Sequence, residues 1–391
     1  MKDKSTIEEM PDRTGNEEIE DVKVFEKKIQ KGIRRNIYTR SLIMILAAAM
    51  VFTGVKRIWQ YEQERSSWHL SDLEQLIDPE PYGEYAAEEN AFLYISAYYD
   101  MFVPGYAAVK RSYPAFAERK DYGIYEFKIS MINCFRSNPE GISGYRGSDS
   151  CIVIDHGKLI KSGDIAELEM QDQYTAWWSM GSERYASFFH VPDPEEEISE
   201  LPPSAYVEMD IRLKDPVSIE ELLKIQADHP DSRILYAVTY ADDDIVSEDN
   251  VIANTCGFSL MGPGLDIPLS TEAMEKYPYL AKESEFGREI FAGSEKYLQS
   301  LLNENTRKMY AEKYLEHYLS VLDLFHNNPV LDLQYPEKEI AEKALADAQE
   351  NGVRVIGLRM SLTKEDAFMI MEKEFTESVH IADVKMSRFD R

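Results

Sequence analysis

Histidines, acidic residues and one serine are the side chains of this 391-residue chain that could do catalysis or bind a metal. The seven histidines show no spacing typical of metal ligands. His317 and His326, for example, are nine residues apart and do not lie on adjacent turns of one helix face. The three consecutive aspartates Asp242 to Asp244 lack the longer loop and closing glutamate of an EF-hand, so we expect a solvated loop. The remaining histidines are His69, His156, His190, His229 and His380. The sequence therefore predicts neither a metal site nor a cofactor.

Ser150, Asp155 and His156 are the residue types of a serine hydrolase triad. Nothing in the surrounding sequence positions an oxyanion hole, and the chain has no GxSxG, HExxH, P-loop or GxGxxG motif. We therefore expect a protein that is not an enzyme.

Three cysteines, Cys134, Cys151 and Cys256, leave the redox state open. An odd number cannot pair completely within one chain, and there is no CxxC motif. Cys134 and Cys151 either form a disulfide outside the cell or remain buried free thiols.

An uncharged apolar run from Ser41 to Val55 is the most distinctive segment of the chain. Its 15 residues cover roughly 22 Å as a helix, less than the ~30 Å hydrocarbon core of a membrane. Flanking residues extend it to a predicted transmembrane helix at 38–59. The anchors at its ends are basic side chains that can snorkel and an interfacial aromatic residue, namely Arg40, Lys56, Arg57 and Trp59. A signal peptide or a buried soluble helix fits these flanks less well.

Charge is divided unequally by this segment. Residues 1–58 carry a net charge of +3 and the rest of the chain carries −31, which together give the net charge of −28. More basic residues precede the apolar run than follow it, which predicts a single-pass protein of the cell membrane with a cytoplasmic N-terminus and an extracytoplasmic body. A body this acidic should repel nucleic acid, so we expect no nucleic-acid partner.

The head before the span is predicted to consist of a disordered tail, residues 1–18, and an amphipathic helix, residues 19–37. The helix has apolar residues at steps of three and four, which form a stripe on one face: Ile19, Val22, Phe25, Ile29, Ile33 and Ile37. Basic residues lie on the opposite face: Lys27, Lys28, Lys31, Arg34 and Arg35. Either the helix lies on the inner membrane surface, or the stripe binds a cytoplasmic partner protein.

The first part of the body, residues 60–190, is predicted to be β-rich. Ser71, Glu74 and Pro79 indicate a short juxtamembrane helix before it. The predicted strands are the aromatic or β-branched segments AFLYISAYYDMF, YGIYEFKISMINCF, CIVIDHGKLI and RYASFFHV. A Pro- and acid-rich segment, residues 191–204, is predicted to be a domain linker.

The second part, residues 205–391, contains two β-α-β units. In the first, the strands YVEMDIRL and RILYAVTY enclose a helix with a capping box of Ser218 and Glu221. In the second, VRVIGLRMSL and VHIADVKM enclose a helix that begins at Thr363 and Asp366. A helical insertion separates the units, and Gly352 is the expected C-cap of its last helix. The fold class is α+β, with a ferredoxin-like sandwich or a mixed sheet covered by helices on one face.

Several of these segments together resemble the sigma-factor regulators of Gram-positive bacteria. The resemblance covers most of the chain, and its motifs are structural in kind. In the head it rests on FEKKIQKGIRRNIYTRSLIMILAAAMVF, and in the body on YVEMDIRL with Asp215-Pro216, SIEELLKI, ILYAVTY, Gly257-Phe258, the helix through Tyr318–Leu322, NGVRVIGLRMSLTKEDAF and IADV.

The resemblance implies a membrane-anchored anti-sigma factor. Its cytoplasmic segment would hold an extracytoplasmic-function sigma factor, and its outer domain would respond to the state of the envelope. The head has only about 40 residues, so binding to a separate anti-sigma protein is an alternative. Another alternative is a tethered, envelope-facing module that binds a ligand or protein and has no sigma partner.

Overall fold

The computed structural model describes residues 15–110, 117–133, 149–161, 193–242, 255–260, 268–280, 295–327, 331–333 and 337–386. Some predictions fall outside these ranges, including the strand RYASFFHV, Cys134 and the aspartates Asp243 and Asp244. The pairing of Cys134 with Cys151 is therefore still a prediction.

Helix α1 runs without interruption from Gly15 to Ser66 and forms one of two compact units; the other is Ser67–Arg391. The sequence predicts two helices here, at 19–37 and 38–59, preceded by a disordered tail that ends at residue 18. The structure instead has one helix, which already includes residues 15–18. The change in composition near Ile37 is not accompanied by a helix-breaking residue, because no proline occurs between Gly15 and Ser66.

Part of α1 could span a membrane, judged by length and composition. The stretch Lys23–Glu64 is 42 residues long, its most apolar window has a mean hydropathy of 1.7, and none of that window is buried in the protein. Among the described residues it is the one helix with these properties.

The helices of the second unit are mostly short. In chain order those described are α2 (Ala86–Phe102), α3 (Pro194–Glu200), α4 (Ile219–Asp228), α5 (Thr271–Lys276), α6 (Glu295–Ser300), α7 (Glu304–His326), α8 (Glu337–Asn351) and α9 (Lys364–Met371).

The strands of this unit form two sheets. In chain order those described are β1 (Tyr106–Lys110), β2 (Ala117–Asp121), β3 (Ile124–Asn133), β4 (Asp149–Asp155), β5 (Lys158–Lys161), β6 (Ala205–Val217), β7 (Arg233–Ala241), β8 (Thr255–Ser259), β9 (Asp332–Leu333), β10 (Val355–Thr363) and β11 (Thr376–Met386).

The two β-α-β units contribute to a single five-stranded sheet with the order β11-β6-β10-β7-β8. All neighbouring strands are antiparallel. Without β8, this is the interleaved order of a ferredoxin-like β-α-β-β-α-β sheet. The predicted caps are present: Ser218 and Glu221 form a capping box, and the Thr363 side chain accepts from the Asp366 amide. The mixed α+β class is confirmed.

The other sheet has the order β1-β3-β4-β5-β9, and β2 also pairs with β3. The segment CIVIDHGKLI forms two strands, β4 and β5, because the chain reverses at His156 and Gly157. The prediction of a strand at AFLYISAYYDMF is wrong, since this segment lies within α2. Helix α2 is buried around its circumference and has apolar residues on every face. Its sequence therefore lacks the helical periodicity that distinguishes a surface helix from a strand.

Two further predictions are corrected near the ends of the β-rich part. Instead of a juxtamembrane helix capped by Ser71 and Glu74, the chain makes one 3-10 turn, Leu70–Asp72, and then extends. The predicted linker 191–204 contains helix α3, whose Ile198 is buried. Lys364 also donates hydrogen bonds to the carbonyls of Ser199 and Leu201. The C-terminal end of α3 is therefore attached to α9.

One large hydrophobic core connects most elements of the second unit. It contains residues of both sheets, such as Ile152 and Met209, together with residues of α2 and α7. In the helical insertion, Tyr314 and Tyr318 of α7 pack against Phe258. Helix α8 ends as expected, because Gly352 has a φ of 74°.

Candidate functional site

The predicted partner-binding stripe lies on α1. Its side chains at Phe25, Ile29 and Ile33 are 63%, 46% and 54% exposed. Ile19 and Val22 also belong to α1, but their side chains lie outside the described residues. At about 100° per residue, the stripe occupies one side of the helix from Phe25 to Ile37. A row of apolar side chains left in water at this spacing is a surface that can be buried against another molecule.

The predicted membrane anchors lie on the same continuous helix. Arg40, Lys56, Arg57 and Trp59 are all exposed. Arg40 and Lys56 are 16 residues apart, so about 24 Å separates them along the axis. Snorkelling of both side chains extends this length toward the thickness of a hydrocarbon core.

The second unit contains a different candidate site, a row of polar residues across its five-stranded sheet. We call it the polar row: His380, Asp210, Arg359, Tyr236 and Ser259, one from each strand. Strand register places each directly opposite the next. Residues opposite one another in an antiparallel sheet point to the same face.

Arg359 is the central charge of the polar row, and its side chain is 1% exposed. Its Nε and Nη2 donate to the two carboxylate oxygens of Asp210, each at 2.8 Å. Its Nη1 donates to the carbonyl of Pro104 at 2.9 Å and lies 3.7 Å from Oε1 of Glu208. Two parallel hydrogen bonds between a guanidinium and a carboxylate make a strong and directional ion pair.

The corner after α2 covers this face of the sheet. Tyr236 donates a hydrogen bond to the carbonyl of Met101, and Arg359 donates to that of Pro104. Gly105 has a φ of 77°, and a Cβ there would lie 2.9 Å from Oε1 of Glu208. Only glycine allows the backbone to pass this close to the ion pair.

Burial affects the ionisation of the polar row. It raises the pKa of the Tyr236 hydroxyl well above its ordinary value. It also lowers the pKa of His380, an effect that the nearby Asp210 opposes and Arg359 reinforces. Both groups are therefore neutral near pH 7, and the charges of the row are those of Arg359 and Asp210.

A second buried polar contact holds α2. His317 of α7 is 2% exposed at its side chain; its Nε2 lies 2.6 Å from Oδ2 of Asp100 and its Nδ1 2.7 Å from the carbonyl oxygen of Tyr279. Tyr279 has a φ of 59°, an uncommon conformation for a tyrosine.

The N-terminal half of α2 holds the segment that follows α1 in the chain. The Asn90 side chain accepts from the Leu76 amide at 2.9 Å and donates to the Glu74 carbonyl at 2.8 Å. Tyr94 donates to the same carbonyl. Helix α2 is thus bonded at one end to residues just after α1 and at the other end to the polar row.

The Ser-Asp-His grouping does not form a triad. Asp155 and His156 are in contact at 2.5 Å at the exposed turn between β4 and β5. Ser150 lies five residues earlier in β4, roughly 16 Å along the strand. The backbone of Ser150 is thus too far along the strand from the turn at Asp155 and His156 for a triad.

A buried cluster that the sequence analysis missed contains the same residue types. Ser232 donates to Asp366 at 2.6 Å, and His229 contacts the other oxygen of that carboxylate at 3.3 Å. The aspartate lies between the serine and the histidine, so it joins the turn after α4 to the first turn of α9. The signal available in the sequence is Asp366, which the spacing from Thr363 predicts as part of a helix cap.

The remaining polar features are modest. Burial raises the pKa of Cys256 to about 12, and the thiol contacts the Tyr318 hydroxyl. A cavity of about 110 Å³ lies beside Phe325, Leu333 and Lys338, which is small for an organic ligand. Among the described residues, no group of three His, Cys, Asp or Glu side chains could hold a metal ion.

Comparisons with protein-family models, with curated proteins and with solved structures find no match for this chain.

Proposed function

We propose that this protein is a membrane-anchored regulator of transcription, an anti-sigma factor whose N-terminal head binds an extracytoplasmic-function sigma factor. The body would lie outside the membrane and respond to the state of the envelope. One observation carries the proposal: α1 continues unbroken from the apolar segment into the head and leaves Phe25, Ile29 and Ile33 exposed.

The continuity of α1 favours a protein partner over the membrane surface. A helix that lies in the membrane plane and then crosses the membrane must bend sharply between Ile33 and Ser41. Sharp bends arise at proline, at Gly/Ser pairs, at π-bulges or where a side chain or water enters the hydrogen-bond ladder. The α-helix is uninterrupted here and has no proline. A helix that crosses the membrane and continues without such a bend projects its apolar stripe away from the lipid.

The stripe is large enough to matter energetically. Full burial of an isoleucine or phenylalanine side chain contributes about 1.5–3 kcal/mol. Phe25, Ile29 and Ile33 expose about half of their surface, so each contributes roughly 1 kcal/mol if a partner covers it. This is the scale of a helix that docks into a groove through a few anchor residues.

The body supports a sensing role through the attachments of α2. Asn90 and Tyr94 hold the segment after α1, while the buried side chains of His317 and Arg359 hold Asp100 and the corner at Pro104. A change at the sheet face would move a helix that is bonded to residues next to the proposed span. The resemblance of the head and body to sigma-factor regulators supports the same function.

The stripe can be tested by capture from the native membrane. We expect Phe25→Asp with Ile29→Asp to abolish capture of a sigma factor by the full chain, read by mass spectrometry, because two charges would be buried in the contact. Phe25→Leu with Ile29→Leu keeps the surface apolar and should retain capture.

Two outcomes contradict the proposal. Equal capture by the aspartate variant would show that the stripe is not the contact. If the unmodified chain captures no transcription protein, the tethered binding module is the better description of this protein.

A further inference from the structure

The face of α1 opposite the apolar stripe is strongly basic. At about 100° per residue, six cations fall within an arc of about 140° centred opposite Val22 and Ile29. All six side chains are exposed: Lys23, Lys27, Lys28, Lys31, Arg34 and Arg35. We call this arc the basic face.

Between Lys23 and Arg40 the basic face contains no acidic residue, whereas Glu17 and Glu20 of the preceding turns of α1 fall on the same arc. Glu26 is the one acidic residue between Lys23 and Arg40, and it lies at the edge of the stripe. Lys27 and Lys31 are one turn apart, as are Lys31 and Arg35. Such pairs of like charges destabilise an isolated helix. An acidic surface against this face would relieve the repulsion.

The residues of the basic face lie at different distances from the membrane, measured along the helix axis from Arg40. Arg34 and Arg35 lie about 8–9 Å along the axis from Arg40, close enough for lipid headgroups. Lys31 lies about 14 Å away and Lys23 about 26 Å, whereas charge is screened over about 8 Å at physiological ionic strength. On a straight helix, the distal half is therefore beyond the reach of anionic lipid.

We infer that the partner of α1 is a protein that encloses the helix, with an apolar surface against the stripe and an acidic surface against the opposite face, and that Lys27, Lys28 and Lys31 contact the acidic surface. The inference rests on the proposed function and deepens it by specifying the chemistry of the partner. A second copy of α1 is a poor occupant. Arg40 continues the centre of the stripe, so a parallel pair would bring two arginines together.

This chemistry also specifies which face of the partner is bound. Surfaces that bind DNA are basic. A basic helix is repelled by such a surface and attracted to an acidic one. A sigma factor held by α1 is thus held through a face other than its DNA-binding face.

Site-specific photocrosslinking in the native membrane tests the inference. The photoreactive residue benzoylphenylalanine is placed at Lys28 in one full-length chain and at Phe25 in another. We expect both to crosslink the same protein, with the Lys28 adduct on a peptide rich in Asp and Glu. We further expect Lys27→Glu, Lys28→Glu and Lys31→Glu together to reduce the Phe25 adduct more than about tenfold, through loss of attraction and added repulsion.

Two control variants separate charge from position. Replacing the same three lysines with arginine should leave the Phe25 adduct unchanged. Replacing Arg34 and Arg35 with glutamine should change it less than about twofold, because these residues lie near the headgroups.

The outcomes distinguish this inference from the proposed function. A protein adduct at Phe25 combined with a lipid adduct, a basic peptide or no adduct at Lys28 overturns the inference and leaves the proposed function standing. Absence of a protein adduct at both positions contradicts both.

Discussion

The guanidinium of Arg359 binds the carboxylate of Asp210 through two hydrogen bonds of 2.8 Å, although the residues are 149 positions apart in the chain. The pair joins β10 to β6 at the centre of the sheet and is covered by the corner after α2. A buried charge is stable there because its partner, the Pro104 carbonyl and Glu208 surround it.

Arg359→Met should therefore be strongly destabilising. It leaves the buried carboxylates of Asp210 and Glu208 without the cation, which typically costs about 3–5 kcal/mol. Urea unfolding of the full chain in detergent measures the change. Arg354→Ala, at an exposed position just before β10, should stay within about 0.5 kcal/mol. A loss below 1 kcal/mol for Arg359→Met would show that the carboxylates are solvated.

Gly105 and Gly83 form a matched pair for testing the close approach at the corner. Both have positive φ, 77° and 55°, but a Cβ at Gly83 meets nothing within 4 Å. Gly83→Ala should cost about 1–2 kcal/mol from backbone strain alone. Gly105→Ala should cost about 1–3 kcal/mol more, because its Cβ would lie 3.1 Å from Cδ of Arg359. Equal losses in thermal unfolding would mean that the corner is not tightly packed on the ion pair.

His380 should make the protein sensitive to mild acid. Burial lowers its pKa in the folded chain, so the unfolded chain takes up a proton first as the pH falls. Stability is then complete above the ordinary value of about 6.5 and decreases below it, until the pH passes the folded pKa. His380→Gln should reduce the fall of the unfolding free energy as the pH drops below about 6.5. His326→Gln, at an exposed position, serves as the control; an unchanged profile in His380→Gln would refute the assignment.

Cys256 should be unreactive in the folded protein. Burial raises its pKa to about 12, so almost no thiolate is present at pH 8. In a chain with Cys134→Ser and Cys151→Ser, a thiol-reactive dye should label Cys256 only after denaturant is added. Labelling within minutes under native conditions would show that β8 opens readily.

Local signals predicted much of the second unit. Alternation identified β6, and cap residues at Ser218 and Thr363 identified the starts of α4 and α9. Such signals act over a few residues, so one sequence is enough to recognise them.

The same reasoning could not identify the polar row. Glu208 and Asp210 alternate with Val207 and Met209, a pattern that predicts a sheet with one solvent-exposed face. Both faces are in fact buried. Burial of the two acidic residues is possible because Arg359, which is far away in the sequence, supplies the counter-charge. Helix α2 was missed for a related reason: it is buried around its circumference and has apolar residues on every face, so its sequence lacks the periodicity that reveals a helix.

The unbroken hydrogen-bond ladder of α1 has a mechanical consequence. An uninterrupted helix has no flexible joint at which one part can rotate independently of the other. A rotation about the helix axis applied near Ser66 therefore turns the side chain of Phe25 in the same direction. Its angular register is set by residue count. One inserted residue would rotate Phe25 by about 100° relative to Arg57, and seven would return it to within about 20°. The direction in which the head faces is therefore encoded in the length of the helix as well as in its composition.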